Sequence, residues 1–199
     1  YFTNYKIKYK GNKMQLSGMR YGSKLLDIVG YPRPETLTGG ATKEEIQQLI
    51  DKYGKVVVKP VFFGGVGKKG KAGLIKIVDN LHDALEAKRE LYFATHKWGN
   101  KEVSANGVTF EAFVESELEV YFSISASTHD RKPIFTITPH GGVEVESLPP
   151  EQKAIVSIDP FIGIKSFDVT NALTDTGCDE KYISSLVLFI PKLWDLYDN

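Results

Sequence analysis

The 199-residue chain carries 25 Lys and Arg against 25 Asp and Glu, a balance that argues against a mainly nucleic-acid-binding protein. With 42% hydrophobic and 25% charged residues it has the composition of a globular protein with a buried core, not of a disordered tail. A single cysteine, Cys178, excludes an internal disulfide scaffold, and no apolar run reaches the roughly 18 residues of a membrane span, so a cytoplasmic location with no membrane partner is expected.

Tyr5, Ile7 and Tyr9 alternate with lysines and predict a strand over 5–9. Residues 19–29 predict a short amphipathic helix with Leu25, Leu26, Ile28 and Val29 on its apolar side. Gly30 stops it, and Pro32 and Pro34 keep the next segment extended. Thr42 stands three residues before Glu45, the capping-box spacing, and opens a helix with Ile46, Leu49, Ile50 and Tyr53 as its buried stripe and Gly54 at its end. The β-branched run Val56, Val57, Val58 predicts a strand ending in Lys59 and Pro60. Gly64, Gly65, Gly67, Gly70 and Gly73 mark a turn, and 74–78 the strand returning from it. Asn80, with Asp83 in the first turn, caps a long helix that buries Leu81, Ala84, Leu85, Leu91 and Tyr92 and has His96, Lys97 and Trp98 near its end.

The second half reads as short strands over 108–114, 120–128, 133–138 and 142–145, with turns at Asp130–Arg131 and His140–Gly141. Phe122, Ile124 and Ala126 alternate with Tyr121, Ser123, Ser125 and Ser127, so one sheet face is apolar. Periodicity does not separate strand from helix over 152–158. The apolar stretch 179–197 is broken at Pro191. The fold class is α+β, with a lobe over 31–109 inserted into a scaffold built from 1–30 and 110–199.

Seven lysines and no acidic residue fall between Lys52 and Lys76. Backbone N–H groups of a glycine-rich turn, together with ammonium groups, can surround phosphate oxygens; a solvated hairpin reads equally well, with phospholipid or nucleic acid as lesser options. Lys59 differs from the rest because a Val-rich strand fixes its charge, whereas Lys68, Lys69 and Lys71 sit on the turn. The pattern is neither a Walker A loop nor a dinucleotide fingerprint. Glu111, Glu115, Glu117 and Glu119 flank Phe113–Val114, which suits either a nucleoside-binding hinge or a solvated acidic edge. His140–Gly141–Gly142 precedes Glu144 and Glu146, a segment suited to Mg²⁺ or to solvent, while His140 has no second histidine at zinc spacing and Cys178 no oriented partner.

In order along the chain stand Val57-Val58-Lys59-Pro60, Gly70-Lys71-Ala72-Gly73, Phe110-Glu111-Ala112-Phe113-Val114, Glu119-Val120-Tyr121 and Gly141-Gly142-Val143-Glu144-Val145-Glu146. This set resembles the ATP-grasp portion of the ADP- or NDP-forming acyl-CoA synthetase superfamily, which includes the succinyl-CoA synthetase β subunit and ATP-citrate lyase. The Lys59-Pro60 pair and the spacing from Phe113 to Tyr121 look closer to ATP-citrate lyase or citryl-CoA synthetase.

The resemblance implies an ATP-grasp fold of two α/β lobes, with 31–109 as the lid lobe. It implies that Lys59 contacts the α and β phosphates, that Lys69, Gly70 and Lys71 belong to a loop over the phosphates, that Ala112 and Val114 offer hinge backbone groups to adenine, and that Glu119 holds the ribose. The loop is slightly longer than the usual form, and His140 stands where relatives carry glutamate. The family's Mg²⁺ ligands, an Asn in a Glu-Ile-Asn-Pro-Leu type strand and a following Asp, are missing here and are expected beyond Asn199. With Tyr1 in place of a starting Met, the chain is expected to be a C-terminally truncated piece of an enzyme, inactive alone. The implied whole enzyme uses ATP to phosphorylate a histidine on another domain or subunit of an oligomer, then activates citrate to citryl-CoA and cleaves it. His82, His96, His129 and His140 all lie outside the phosphohistidine context, so no catalytic residue is assigned. The alternatives are a succinyl-CoA synthetase β subunit, a non-catalytic nucleotide-binding regulatory domain, and a structural domain with a solvated lysine loop.

Overall fold

Alternation along one strand decides how the first half is built. In β4 (Val56–Phe62) Val56 and Val58 are fully buried, so Val57 and Lys59 point to the opposite face of their sheet. The structure, a computed structural model, describes residues 5–9, 12–16, 19–62, 73–98, 100–129, 131–142 and 145–198. The glycine- and lysine-rich turn containing Lys68, Lys69, Gly70 and Lys71 lies outside the described residues. By its internal contacts the chain divides into two units, Phe2–Glu115 and Ser116–Asn199.

The first unit contains an antiparallel hairpin of β1 (Tyr5–Tyr9) and β2 (Asn12–Leu16), of which the sequence pattern reveals only β1. After α1 (Met19–Ile28), Gly30 turns the chain at φ 62°. The capping box of α2 (Lys43–Tyr53) forms as expected: Glu45 N–H donates to Thr42 Oγ1 at 3.2 Å, and Thr42 N–H to Glu45 Oε2 at 2.7 Å. Ile46, Leu49 and Ile50 are buried. Tyr53 is not part of that stripe; it is 40% exposed, and its hydroxyl donates to Glu35 at 2.9 Å. β5 (Lys76–Val78) returns antiparallel to β4 and leads into α3 (Leu81–Leu91), where Asp83 N–H donates to the Asn80 cap at 2.9 Å.

α3 ends at Leu91, so His96 is not a helix-end residue but part of β6 (Thr95–Trp98), paired with Val103. Its partner β7 (Lys101–Ala112) starts well before the expected position 108, because its first residues pair with β6 while later ones pair with β4 and β3 (Thr36–Thr38). The antiparallel order is β3-β7-β4-β5. Ile46, Leu49 and Ile50 of α2, and Ala84, Ala87 and Leu91 of α3, share one core with Val56, Val58, Phe110 and Ala112 of the sheet. Each large apolar side chain so buried stabilises the unit by about 1.5–3 kcal/mol relative to exposure. The β4–β7 register shifts between Pro60 and Phe62, where proline has no N–H for the ladder.

In the second unit β8 (Tyr121–Ser127), β9 (Lys132–Thr138) and β10 (Ala154–Ser157) form an antiparallel sheet of order β10-β9-β8. Phe135 and Ile137 of β9 are fully buried, and Phe122 and Ile124 of β8 pack on the same core. The ambiguous segment over 152–158 is thus a strand in its centre. The strand expected over 142–145 is not seen at its described ends: Gly142 lies in a turn at φ 72° and Val145–Ser147 is a single 3-10 turn, while residues 143 and 144 lie outside the described residues.

α4 (Ser166–Asp175) escapes the sequence pattern because Lys165, at its N-cap, makes no side-chain capping bond and the buried stripe is only Val169, Ala172 and Leu173. α5 (Glu180–Phe189) and α6 (Lys192–Asp198) meet at Pro191, as the proline requires. Ile183, Ile190 and Trp194 from this pair join the core of α4 and β9. Cys178 lies in that core, and its thiol is pushed up by burial and then by the charge of Asp179. Both causes keep it protonated and unreactive.

Candidate functional site

The polar face of the first unit's sheet is set by register. Lys59 stands opposite Thr109, and Val57 opposite Glu111, so Lys59, Thr109 and Glu111 share the face turned away from the core of α2 and α3. There Lys59 Nζ donates to Glu111 Oε2 at 2.5 Å, and Thr109 Oγ1 donates to Glu111 Oε1 at 3.2 Å. The Lys59 side chain is 30% exposed and that of Glu111 20%, so the pair is largely desolvated yet open to an incoming ligand. This rigid placement of Lys59 follows from its strand position. Glu111 belongs to the acidic cluster of the sequence, but the motifs give it no role of its own. The signal for it is its parity: it alternates with the buried Phe110 and Ala112.

Beside this pair lies a cavity of about 580 Å³ whose wall includes Arg33, Thr36, Thr38, Thr109 and Glu111. Arg33 is tethered: its Nε and Nη2 donate to the two carboxylate oxygens of Asp27 at 2.7 and 2.8 Å, and Nη1 donates to the Pro34 carbonyl at 3.2 Å. The hydrogen bond to Asp27 holds the Arg33 guanidinium above its ordinary range, opposed by burial and aided by the charges of Asp27 and Glu111.

Ala112 ends β7, and its N–H donates to the Glu35 carbonyl at 2.9 Å, while Phe113 N–H donates to Lys55 C=O at 3.0 Å. The Ala112 N–H is therefore already engaged within the protein. Val114 comes next but one, with 61% of its surface exposed. Lys59 and Ala112 thus belong to one sheet, while Lys69, Gly70 and Lys71 lie outside the described residues.

Glu119 lies in the second unit, against the glycine pair. Its carbonyl accepts a hydrogen bond from Gly141 N–H at 2.7 Å, and a Cβ added at Gly141 would stand 2.6 Å from that oxygen. Gly142 has φ 72°, and a Cβ there would meet Glu119 Oε2. His140 is exposed and its N–H donates to Thr138 Oγ1 at 3.0 Å, which anchors the turn. Among the described residues no group of three or more His, Cys, Asp or Glu is placed to hold a metal ion, and no step is assigned to one. No helix of the described residues is long and apolar enough to cross a membrane.

A family model for the ATP-grasp domain matches residues 22–199. The ADP-forming succinate–CoA ligase beta subunit of Natronomonas pharaonis is 29% identical over 171 residues, covering 84% of this chain and 43% of that protein. The corresponding subunit of Halobacterium salinarum is 26% identical over 173 residues, covering 84% and 43%. The chain therefore spans less than half the length of these relatives. Among solved structures, ATP citrate lyase from Methanothrix soehngenii in complex with citrate and coenzyme A superposes with a TM-score of 0.60 at 22% identity, over 89% of this chain and 40% of that one. The dinucleotide-forming acetyl-coenzyme A synthetase 1 of Ca. Korarchaeum cryptofilum gives 0.62 at 15% identity, over 88% and 79%. At these identities the structural likeness speaks for the fold.

Proposed function

The chain belongs to the ATP-grasp domain family, and on that basis we propose that it is the nucleotide-binding part of an ATP-dependent CoA ligase of the succinate–CoA ligase beta type. In this reading Lys59 binds the nucleotide phosphates, with Lys69, Gly70 and Lys71 as further donors. Backbone groups of Ala112 and Val114 read the adenine edge, and Glu119 accepts the ribose hydroxyls. Residues 31–109 serve as the lobe over the phosphates. The single observation that carries nucleotide binding is the Lys59 ammonium, fixed by strand pairing on the partly open sheet face. A cation held on a rigid element places its charge at a fixed point and loses little freedom when phosphate arrives.

Succinate as the activated acid is supported by the sequence relatives, which are succinate–CoA ligase beta subunits. The Lys59-Pro60 pair supports citrate, as in ATP-citrate lyase, as the second reading. Both place the acyl phosphate and CoA chemistry on a partner domain or subunit that bears a phosphohistidine, and Mg²⁺ ligands outside the described residues. Calorimetry with ADP tests the nucleotide site: saturable one-site binding that Lys59→Ala weakens is expected, and absence of heat with ADP and ATP would reject it. ADP release from ATP with Mg²⁺, measured with CoA, each acid in turn and all the missing parts of the enzyme (metal-ligand segment and phosphohistidine-bearing partner) supplied, separates the substrates. Turnover with succinate and not citrate is expected; the reverse would establish the citrate reading.

A further inference from the structure

We propose that Glu111 is a displaceable counter-ion, one that neutralises Lys59 in the free chain and surrenders it to the phosphates of an incoming nucleotide. The proposal rests on the nucleotide-binding role of Lys59 given above. Lys59 is not a free cation waiting for phosphate, because its Nζ is bonded to Glu111 at 2.5 Å in a site where both side chains are mostly covered. A phosphate oxygen drawn to the same ammonium would stand close to the Glu111 carboxylate. In a partly desolvated site two anions at that range repel strongly, so one has to yield.

The surroundings make Glu111 the group that can yield. Its other oxygen, Oε1, already accepts a hydrogen bond from Thr109 Oγ1, so the carboxylate keeps a partner when Lys59 leaves. It also lines the same cavity as Arg33, whose guanidinium is immobilised by the two bonds to Asp27. Arg33 feels the charge of Glu111 at present, though less than that of its direct partner Asp27. A fixed positive charge near the abandoned carboxylate lowers the cost of leaving it without Lys59. The exchange runs from Lys59–Glu111 to Lys59–phosphate, with Glu111 left on Thr109 in the field of Arg33. Glu111 thereby weakens phosphate binding and gives selectivity, since a lone small anion displaces it less readily than a polyphosphate.

Three probes test the exchange by calorimetry on the whole chain: adenosine, ADP and inorganic tripolyphosphate. The isosteric Glu111→Gln should bind ADP and tripolyphosphate about tenfold more tightly, the scale of one charge-assisted hydrogen bond, with adenosine unchanged. In a Lys59→Gln background the same change should alter tripolyphosphate affinity much less, because the contested donor is gone. Equal or weaker binding of ADP and tripolyphosphate by Glu111→Gln overturns the proposal, as does an equal gain in both backgrounds, which would mark a general charge effect. Wild-type protein that binds none of the three probes overturns the nucleotide reading and the exchange with it. Thr109→Val supplies an independent variant: loss of the second partner should make Glu111 hold Lys59 more tightly and weaken tripolyphosphate binding, and a gain would count against the exchange.

Discussion

Gly141 N–H donates to the Glu119 carbonyl at 2.7 Å, and the same approach leaves no room for a side chain at Gly141. The contact at 2.6 Å from an added Cβ is to backbone oxygen, which cannot swing away. Gly141→Ala should therefore displace the segment at Glu119 and destabilise the protein by about 1–3 kcal/mol, the usual cost of forcing extra volume into a closed contact. Gly142→Ala meets the end of a flexible carboxylate instead, and its φ of 72° adds roughly 1 kcal/mol. Thermal unfolding should rank Gly141→Ala as the less stable variant, while both weaken ADP binding through Glu119. An unchanged ADP affinity in both would remove Glu119 from the nucleotide site.

The capping box of α2 offers a test of stability away from the site. Thr42 Oγ1 and Glu45 Oε2 each satisfy a backbone N–H of the other residue. Thr42→Ala removes one of these bonds and should cost about 1 kcal/mol in urea unfolding. Because α2 packs behind the strand that carries Lys59, the substitution should leave ADP affinity at wild-type level once the protein is folded. A loss of affinity without loss of stability would mean that the helix reaches the ligand in some other way.

Much of the fold is legible in the sequence wherever a local signal and burial agree. Thr42 and Glu45, Asn80 and Asp83, the Val56–Val58 run and the Pro191 break all state their structure within a few residues. The failures have a common physical origin in tertiary pairing. β6 and the early part of β7 exist because Thr95–Trp98 and Lys101–Ser104 pair with each other, which neither segment reveals alone. α4 has no capping side chain, and its burial depends on β9 and α5. Lys59 is recognisable at the candidate site because it ends a run of valines. Glu111 is not, since its partnership with Lys59 depends on the register of strands 52 residues apart in sequence.

Asp27 and Arg33 give the clearest pH signature. The hydrogen bonds from Arg33 hold the Asp27 carboxyl below its ordinary value of 3.8, against a weaker opposing effect of burial. A carboxylate depressed on folding contributes stability above its unfolded value, and that contribution fades as pH falls through the lower folded value. The tether should thus stay intact through the neutral range and down past 3.8, opening only in stronger acid. Carboxyl-carbon NMR should show Asp27 titrating below 3.8 in the wild type and moving back up in Arg33→Gln. Titration of wild-type Asp27 at or above 3.8 would contradict the bidentate pair.

Lys59 and Lys76 make a matched comparison of two lysines on neighbouring strands. Lys76, on β5, pairs with Glu90 at 2.9 Å, and its side chain is 38% exposed against 30% for Lys59. Exposure and charge are therefore nearly equal, and what differs is the surrounding chemistry. Lys59 stands on the face with Thr109 and Glu111, whereas Lys76 is paired to the last turn of α3. If nucleotide binding depended on overall positive charge, Lys59→Ala and Lys76→Ala would weaken ADP similarly and salt would erase both effects. A direct phosphate contact by Lys59 instead predicts a loss of about tenfold or more for Lys59→Ala and little change for Lys76→Ala. Lys68, placed by the sequence on the glycine-rich turn, should fall between them, because a cation on a loop gives up more freedom when it binds. ADP calorimetry at low and moderate salt resolves the order; equal losses at Lys59 and Lys76 would reject a specific phosphate contact.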